Sequence, residues 1–361
     1  MQVLDSLEYQ LSQLPQKLQI SLENIVNNLQ IESFYSIQHP EYNLVSLPES
    51  VISRFENLPL DIQHKHLSIQ LRNFLYSAYY NGSWHNSSNA DDQMNNLSNN
   101  SLFGIDLSFY EKLHNRNTGI GYWSKNWLVV NEEADKNLVV HKNGLTLHIE
   151  RDLYLRPSHK SAAIGDLVAI KMPKNLVQNG FYMAVSNLGT QDHQDILRIY
   201  FNISPEGAVS VMENLTKQLN KIEIPFSFKA LYNPDEYGRY DSAVLYFNKH
   251  EYQNIYSVLQ SVYLENKSYF SPQVPLFTKA LAPGLGCAEE PENKLAEKES
   301  FGTNRCQMIA NGLINAWEIG NNQPEQRIRA IFEQFALHKI KIQYPYLNTH
   351  SEDIYRPLED V

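Results

Sequence analysis

Lysine, histidine and arginine side chains recur together with tyrosine hydroxyls on the polar side of predicted strands. In KNGLTLH, carrying the strand phase back from His148 puts Lys142 on the same side as the imidazole. In RIYFNIS, Arg198 and Tyr200 lie opposite the apolar residues of the strand. An arginine can hold an oxyanion through two parallel hydrogen bonds, and a lysine and a histidine can exchange protons. The pattern indicates an anion-binding face with acid and base groups.

The segment FKALYNPDEYGRYD adds more groups of this kind around a turn. Lys229 lies on the side of its strand that faces away from the core, and Tyr237, Arg239 and Asp241 alternate after the Asn-Pro-Asp and Gly turn residues. Asp241 can orient Arg239 or Tyr240, which suits the binding of a phosphate-bearing ligand. The alternative is a structural corner, in which the tyrosines are buried and Arg239 pairs with a nearby aspartate.

Short catalytic motifs are missing from the sequence. GDLVAIKMP is superficially like the lysine-bearing strand of protein kinases, but no glycine-rich loop precedes it and neither HRD nor DFG follows it. APGLGCAEEP lacks the GK[ST] ending of a phosphate-binding loop. The histidines show no HExxH spacing, and no GxSxG is present. We therefore predict no metal, no cofactor and no covalent nucleophile.

Composition narrows the class of protein further. The 361 residues include 30 basic and 40 acidic side chains, so the net charge of −10 argues against a nucleic-acid surface built on bulk positive charge. Cys287 and Cys306 are the only cysteines, which is typical of a reducing cytoplasm. No signal peptide and no run of membrane-spanning length is visible. We predict a cytoplasmic protein without membrane partners.

The elements that must position these groups can be predicted from apolar spacing. Helical spacing dominates residues 1–80, an Asn/Ser-rich polar loop covers 81–101, strand alternation runs from about 118 to 250, and helices follow. We expect an α+β fold in which a central antiparallel sheet, with one buried and one polar face, is flanked by N-terminal and C-terminal helices. Residues 102–361 would form the α+β domain, ending in an extended, packed strap, YLNTHSEDIYRPLEDV.

Several segments in combination resemble a known family. KNGLTLHIER, RIYFNISPEGA, FKALYNPDEYGRYDSAVLY, LFTKALAPGLG, ESFGTNRCQMIANGL and YLNTHSEDIYRPL look like the cyanobacterial members of the HopA-type type III effector family. The likeness runs from about residue 70 to the end, and the N-terminal helices match more loosely. Related proteins are encoded beside small kinases in pathways for ribosomally made peptides, including class V lanthipeptides and thioamide-containing peptides.

The resemblance implies a lyase that removes phosphate from phosphoserine or phosphothreonine of a precursor peptide and leaves a dehydroamino acid. Lyases of this class use a lysine base and a histidine acid, for which the chain offers Lys229 or Lys142, and His148. The implied phosphate or carbonyl clamps are Arg198, Arg239 and Arg305. The implied residues for positioning the peptide or relaying protons are Tyr200, Tyr237, Tyr240 and Asp241. The implied partners are the phosphorylated precursor peptide and a small kinase.

A second interpretation remains open. The same groove could belong to a non-catalytic module that binds a peptide or a kinase, or to an effector-like protein that acts on a host partner. Pairing of Lys142 with His148 favours chemistry, because a binding groove needs the cations but no acid and base. The precursor peptide, ring closure after dehydration and the oligomeric state are not readable from the sequence, nor is whether residues 1–80 fold separately.

Overall fold

The computed structural model of the protein describes residues 7–84, 101–102, 105–190, 194–296 and 299–359. They form an α+β fold, which confirms the predicted class. The α-helices are α1 (Leu7–Ser12), α2 (Gln16–Asn28), α3 (Glu49–Glu56), α4 (Leu60–Leu75), α5 (Leu107–Arg116), α6 (Arg151–Tyr154), α7 (Pro205–Lys221), α8 (Tyr252–Asn266), α9 (Phe301–Glu318) and α10 (Pro324–Leu337). The strands are β1 (Gln30–Ser33), β2 (Ser36–His39), β3 (Tyr42–Ser46), β4 (Ser101–Leu102), β5 (Ile105–Asp106), β6 (Tyr122–Glu132), β7 (Leu138–Lys142), β8 (Leu145–Ile149), β9 (Leu167–Met172), β10 (Asn175–Gln178), β11 (Phe181–Val185), β12 (Ile196–Phe201), β13 (Phe226–Leu231), β14 (Ala243–Asn248), β15 (Lys279–Ala282) and β16 (Leu285–Glu289).

The central feature is an antiparallel sheet of seven strands in the order β10-β11-β13-β14-β12-β16-β15. Its register aligns Cys287, Ile199, Leu245, Phe228 and Ala184 in one row across five strands. All five side chains are fully buried. Because successive residues of a strand point to opposite faces, this row marks a buried, largely apolar face of the sheet.

The opposite face of this sheet carries polar side chains, as predicted, but part of it is covered. Tyr200 lies on this face, is only 2% exposed, and contacts the rings of Tyr80 and Phe301. Tyr80 ends a π-helical turn that follows α4, and Phe301 is the first residue of α9. Helices from both ends of the chain therefore flank the sheet, as predicted, and close much of its second face.

The N-terminal region is only partly helical. Alongside the helices it contains β1, β2 and β3, which form an antiparallel three-stranded sheet. These strands are four or five residues long, too short for apolar spacing to separate them from helix. Leu18, Leu22 and Leu71 share one buried core with the seven-stranded sheet, so the described part of this region packs onto the sheet. The predicted Asn/Ser-rich loop falls mostly on residues 85–100, outside the described residues.

A second antiparallel sheet has the strand order β8-β7-β6-β9 and a small core of its own. Its hairpin β7-β8 turns at Asn143 and Gly144, whose φ angles are 50° and 79°. Two consecutive positive φ angles give a two-residue turn of type I′, which matches the twist of the flanking strands. The turn sets the pairing of Lys142 with Leu145 and of Val139 with His148.

The C-terminal segment is a packed strap, as the sequence predicts. Tyr355 is 2% exposed, and its hydroxyl donates to Glu289 Oε1 at 2.8 Å. The backbone N–H of Leu358 donates to the carbonyl of Leu281 at 2.8 Å, which covers the edge strand β15. Within the described ranges, none of the helices has the length and apolar character needed to cross a lipid bilayer.

Candidate functional site

Lys229 lies on the second face of the seven-stranded sheet, partly buried between two aromatic rings. Its Nζ is 4.3 Å from the ring centroid of Phe181 and 5.5 Å from that of Tyr246. Among the residues that the structure describes, no side chain or carbonyl forms a hydrogen bond or ion pair with this ammonium group. Ring faces attract a cation without using its N–H groups. Lys229 is therefore held in place by contacts that leave its N–H groups unpaired within the described residues.

Arg198 is the direct cross-strand neighbour of Tyr246, and its guanidinium carbon is 5.1 Å from the ring centroid. Its Nε and Nη2 both pair with the carboxylate of Glu290, which directly follows β16. Glu290 also pairs with Lys294 at 3.0 Å. The double contact fixes the guanidinium plane, and Nη1 has no partner in the described part of the chain. The ring of Tyr246 on β14 separates Arg198 on β12 from Lys229 on β13.

These side chains form what we call the cation–tyrosine patch, defined as Phe181, Arg198, Lys229, Tyr246 and Glu290. Its two cations outnumber its one carboxylate, so the patch favours an anion. A phosphate or carboxylate could accept hydrogen bonds from Lys229 and from Arg198 Nη1 together, and such charge-assisted bonds are the strong ones.

The hydroxyl of Tyr200 is buried on the same sheet face, two residues from Arg198. The hydroxyl of Tyr80 and the guanidinium of Arg198 approach its oxygen, although neither meets it with good hydrogen-bond geometry. Burial raises the pKa of Tyr200, and the charge of Arg198 and the approach of these two donors oppose that rise. Tyr200 therefore forms a buried cluster with Tyr80 and Arg198 on this sheet face.

A cavity of about 400 Å³ lies next to the patch at the end of β12. Glu290 lines it and so belongs to both the patch and the cavity. Lys249, on the cavity wall, pairs with Asp195 at 3.2 Å, and Lys294 pairs with Glu290. Because both lysines are already paired with carboxylates, they are not available to a further anion. The cavity offers space for the residues of a bound peptide.

The segment YNPDEYGRYD forms a structural corner, in line with the alternative drawn from the sequence. Arg239 donates from Nε and Nη2 to the two oxygens of Asp241, at 2.5 and 2.9 Å. Tyr76 donates to the same carboxylate at 3.2 Å, which ties the corner to the N-terminal region. The hydroxyl of Tyr237 donates to the carbonyl of Leu231 at 2.8 Å, and burial raises its pKa.

Tyr240, the last tyrosine of the segment, also makes structural contacts. Its backbone N–H donates to the carbonyl of Asn81 at 2.8 Å. Its ring lies so close to Gly82 that a Cβ atom at that position would approach the ring within 2.5 Å. Lys17 lies over the ring at 4.9 Å from the centroid. Tyr240 therefore joins the corner to the N-terminal region, away from the free cations of the patch.

Arg305, implied by the resemblance as a phosphate clamp, is buried inside the fold. It is 1% exposed and donates to the carbonyls of Pro345 at 2.8 Å and Leu347 at 3.3 Å. It also bonds the side chain of Asn304 at 2.5 Å. Burial lowers the pKa of Arg305 to about 10. These contacts attach the C-terminal strap to α9, and they leave no exposed surface for a phosphate group to reach.

Lys142 and His148 do not share a face, so their predicted pairing is wrong. The type I′ turn pairs Lys142 with Leu145, and the pair of His148 with Val139 lies three rows further along the hairpin. Because successive rows of a sheet face opposite ways, the two side chains lie on opposite faces. In a two-residue turn the last residue of one strand pairs with the first residue of the next, three positions later in the sequence. An alternation counted straight through the turn therefore assigns the residues of the next strand to the wrong face.

The two side chains also have local partners in the four-stranded sheet. Lys142 donates to the carbonyl of Lys125 at 2.7 Å. His148 pairs with Glu133 at 2.8 Å, and its side chain is 64% exposed. No contact between either side chain and the cation–tyrosine patch is present among the described residues, so the patch contains neither the predicted acid nor the second lysine.

Sequence reasoning found Lys229 and Arg198 but missed Tyr246, Phe181 and Glu290. A signal for Tyr246 was available, because VLYF places it on the side opposite Leu245 and Phe247, the side of Lys229 and Arg198. Glu290 lies in a loop, where no alternation of apolar and polar residues indicates which way a side chain points. In the described part of the chain, no three histidine, cysteine or acidic side chains stand close enough to bind a metal ion.

The patch lies in the part of the chain that matches a known protein family. The model of the HopA1 effector protein family matches residues 172–347, just under half of the chain. That range contains every residue of the cation–tyrosine patch, whereas Lys142 and His148 lie before it. The match supports the HopA-type part of the sequence resemblance.

Two solved structures of bacterial effector proteins are similar to the chain. One, from Pseudomonas syringae pv. tomato strain DC3000, is 14% identical and has a TM-score of 0.43, covering 83% of this chain and 98% of that one. The other, from Pseudomonas syringae pv. syringae strain 61, is 12% identical with a TM-score of 0.43, covering 78% and 90%. No curated protein matches the sequence.

Proposed function

We propose that the protein is a lyase that eliminates phosphate from phosphoserine or phosphothreonine in a ribosomally made peptide. The observation that carries the proposal is the ammonium group of Lys229, which has no hydrogen-bond or ion-pair partner among the described residues and is held beside Arg198 across the ring of Tyr246. Elimination needs a base at the α-carbon and cations at the phosphate, and these are the groups that the patch offers.

The reaction would proceed as a β-elimination. The ammonium group of Lys229 would first give a proton to solvent. The amine so formed then removes the α-proton, the freed electron pair forms the double bond between Cα and Cβ, and the Cβ–O bond breaks. Phosphate leaves with the electrons of that bond. Arg198 Nη1 would hold the phosphate oxygens, and the ring of Tyr246 lies between the base and the clamp. The proposed steps use side chains alone.

A kinase must act before this step, because the substrate carries a phosphate ester. The chain itself lacks the kinase motifs, so we propose that a separate small kinase prepares the peptide. The cavity beside Glu290 would then accept peptide residues that flank the phosphorylated side chain.

Incubation with a phosphothreonine peptide, followed by mass spectrometry, tests this function. Loss of the whole phosphoric acid, leaving a dehydrated peptide, supports a lyase, whereas loss of the phosphoryl group alone would indicate hydrolysis. Lys229→Ala should abolish elimination. Lys217→Ala, which removes an exposed lysine from α7, is the matched control and should leave it unchanged.

The second candidate is a protein that binds a phosphopeptide or a host partner without chemistry, as the family name "effector" suggests. One observation favours it: His148, the acid implied by the resemblance, has no described contact with the patch and pairs with Glu133 on the other sheet. An unchanged peptide mass together with measurable binding in the same experiment would favour this candidate.

A further inference from the structure

A second anion site is indicated by a buried arginine that has no acidic partner in the part of the chain that the structure describes. Arg327 in α10 is 8% exposed and lines a cavity of about 350 Å³ between the end of α2, β1, and the facing ends of α9 and α10. Two of its five guanidinium N–H groups are used, donating to the carbonyls of Val26 and Leu29 at 2.5 Å each. No carboxylate in the described chain pairs with it.

Two partly buried arginines of the protein are neutralised by a carboxylate, whereas Arg305, like Arg327, is buried against carbonyl groups. Arg198 pairs with Glu290 and Arg239 with Asp241. The carbonyls at the C-terminal end of α2 offer Arg327 only the partial charge of a helix end, about half an elementary charge. Burial accordingly lowers the pKa of Arg327 to about 10. A positive charge therefore remains uncompensated at the wall of the cavity.

A second positive feature meets the same cavity. Helix α10 begins at Pro324, and Gln323 before it makes no side-chain cap bond. Pro324 and Asn322 both line the cavity, so the positive end of the α10 dipole lies at the cavity that Arg327 lines. The amide of Asn322 adds a polar group there.

The remaining walls define the ligand further. Trp317, Leu313 and Ile31 supply apolar surface, which suits a short hydrocarbon or aromatic body. Glu32 lies exposed at the rim and disfavours a second negative charge on the ligand. We propose that this cavity binds a small organic carboxylate, with its single charge at Arg327 and its apolar body against Trp317.

Titration of the full chain with benzoate, followed by tryptophan fluorescence and calorimetry, tests the site. We expect saturable binding with a fluorescence change that Trp317→Phe removes. Phenyl phosphate should bind more weakly than benzoate, and Glu32→Gln should narrow that difference. Benzyl alcohol, which has the same body without the charge, should not bind.

Two variants probe the site independently, because Arg327→Met also removes the bonds that hold the end of α2. Arg327→Met should weaken benzoate binding at least tenfold. Ile31→Phe fills the cavity while leaving those bonds intact, and it should abolish binding without changing the circular dichroism spectrum. Absence of saturable binding to the unmodified chain, or unchanged binding by Ile31→Phe, would overturn the proposal.

Discussion

Replacing Arg305 with methionine is expected to destabilise the fold and leave the cation–tyrosine patch able to bind a phosphopeptide. Arg305 is 1% exposed and donates to two carbonyls of the C-terminal strap, those of Pro345 and Leu347. Methionine keeps most of the apolar stem, so little packing is lost. Both carbonyls lose their partner in a region that water does not reach.

The size of the effect follows from these two bonds and from the bond to Asn304 Oδ1. Each buried acceptor that loses its partner costs about 1–3 kcal/mol, so the three cost about 3–9 kcal/mol. The bond to Leu347 is long at 3.3 Å, so the free energy lost with it should lie near the lower of these values. Removing a buried charge returns part of the cost, since burial lowers the pKa of Arg305 to about 10. We expect a net loss of about 2–4 kcal/mol in the free energy of unfolding.

Urea unfolding followed by circular dichroism measures this loss. Arg329→Met, at an exposed position of α10, is the matched control and should change the free energy of unfolding by less than about 0.5 kcal/mol. Phosphopeptide binding is then compared under conditions where both variants are folded. If Arg305→Met had the stability of the unmodified protein and yet lost phosphopeptide binding, Arg305 would be a phosphate clamp and the structural account would be wrong.

Three further predictions concern titratable groups. Burial lowers the pKa of His39 below 6.5, although Glu41 opposes the shift, and His39 Nδ1 accepts the backbone N–H of Glu41. The stability that the neutral imidazole contributes is thus present above pH 6.5 and lost as the pH falls, and thermal unfolding of His39→Asn should lack that part of the pH dependence. Burial raises the pKa of Cys287 and Cys306, so a thiol reagent should modify neither until urea unfolds the protein; rapid native-state labelling would contradict their burial. His148→Ala should leave phosphopeptide elimination within about twofold, because its exposed imidazole lies on the other sheet, and a loss resembling that of Lys229→Ala would restore His148 as the acid.

Features of the fold that depend only on residues close in sequence, such as helix starts and strand alternation, can be predicted from the sequence. Helix α7 carries its own start signal, because Pro205 is its first residue and the Ser204 hydroxyl accepts the N–H of Gly207 at 3.1 Å. The alternation in RIYFNIS correctly separates the apolar face from the face of Arg198. The short strands β1 to β3 escaped prediction because four or five residues carry too little periodicity.

The composition of the site depended on tertiary contacts that one sequence does not contain. Arg198 and Arg305 look alike as basic residues, yet one reaches a partly open sheet face and the other is buried under the strap. The pairing of Lys142 with His148 failed because a two-residue turn changes strand parity. Glu290 can be assigned to the site only from the structure, in which the end of β16 lies beside β12.

The central claim is that the cation–tyrosine patch is the phosphate site. Calorimetric binding of a peptide whose phosphothreonine oxygen is replaced by CH₂ tests this claim without turnover, because that carbon–carbon bond cannot be eliminated. Loss of one charge-assisted contact, about 1.5–3 kcal/mol, predicts that Lys229→Ala binds the phosphonate about tenfold to a hundredfold more weakly. Lys217→Ala should bind it as the unmodified protein does. Equal affinity of Lys229→Ala and the unmodified protein would contradict the claim.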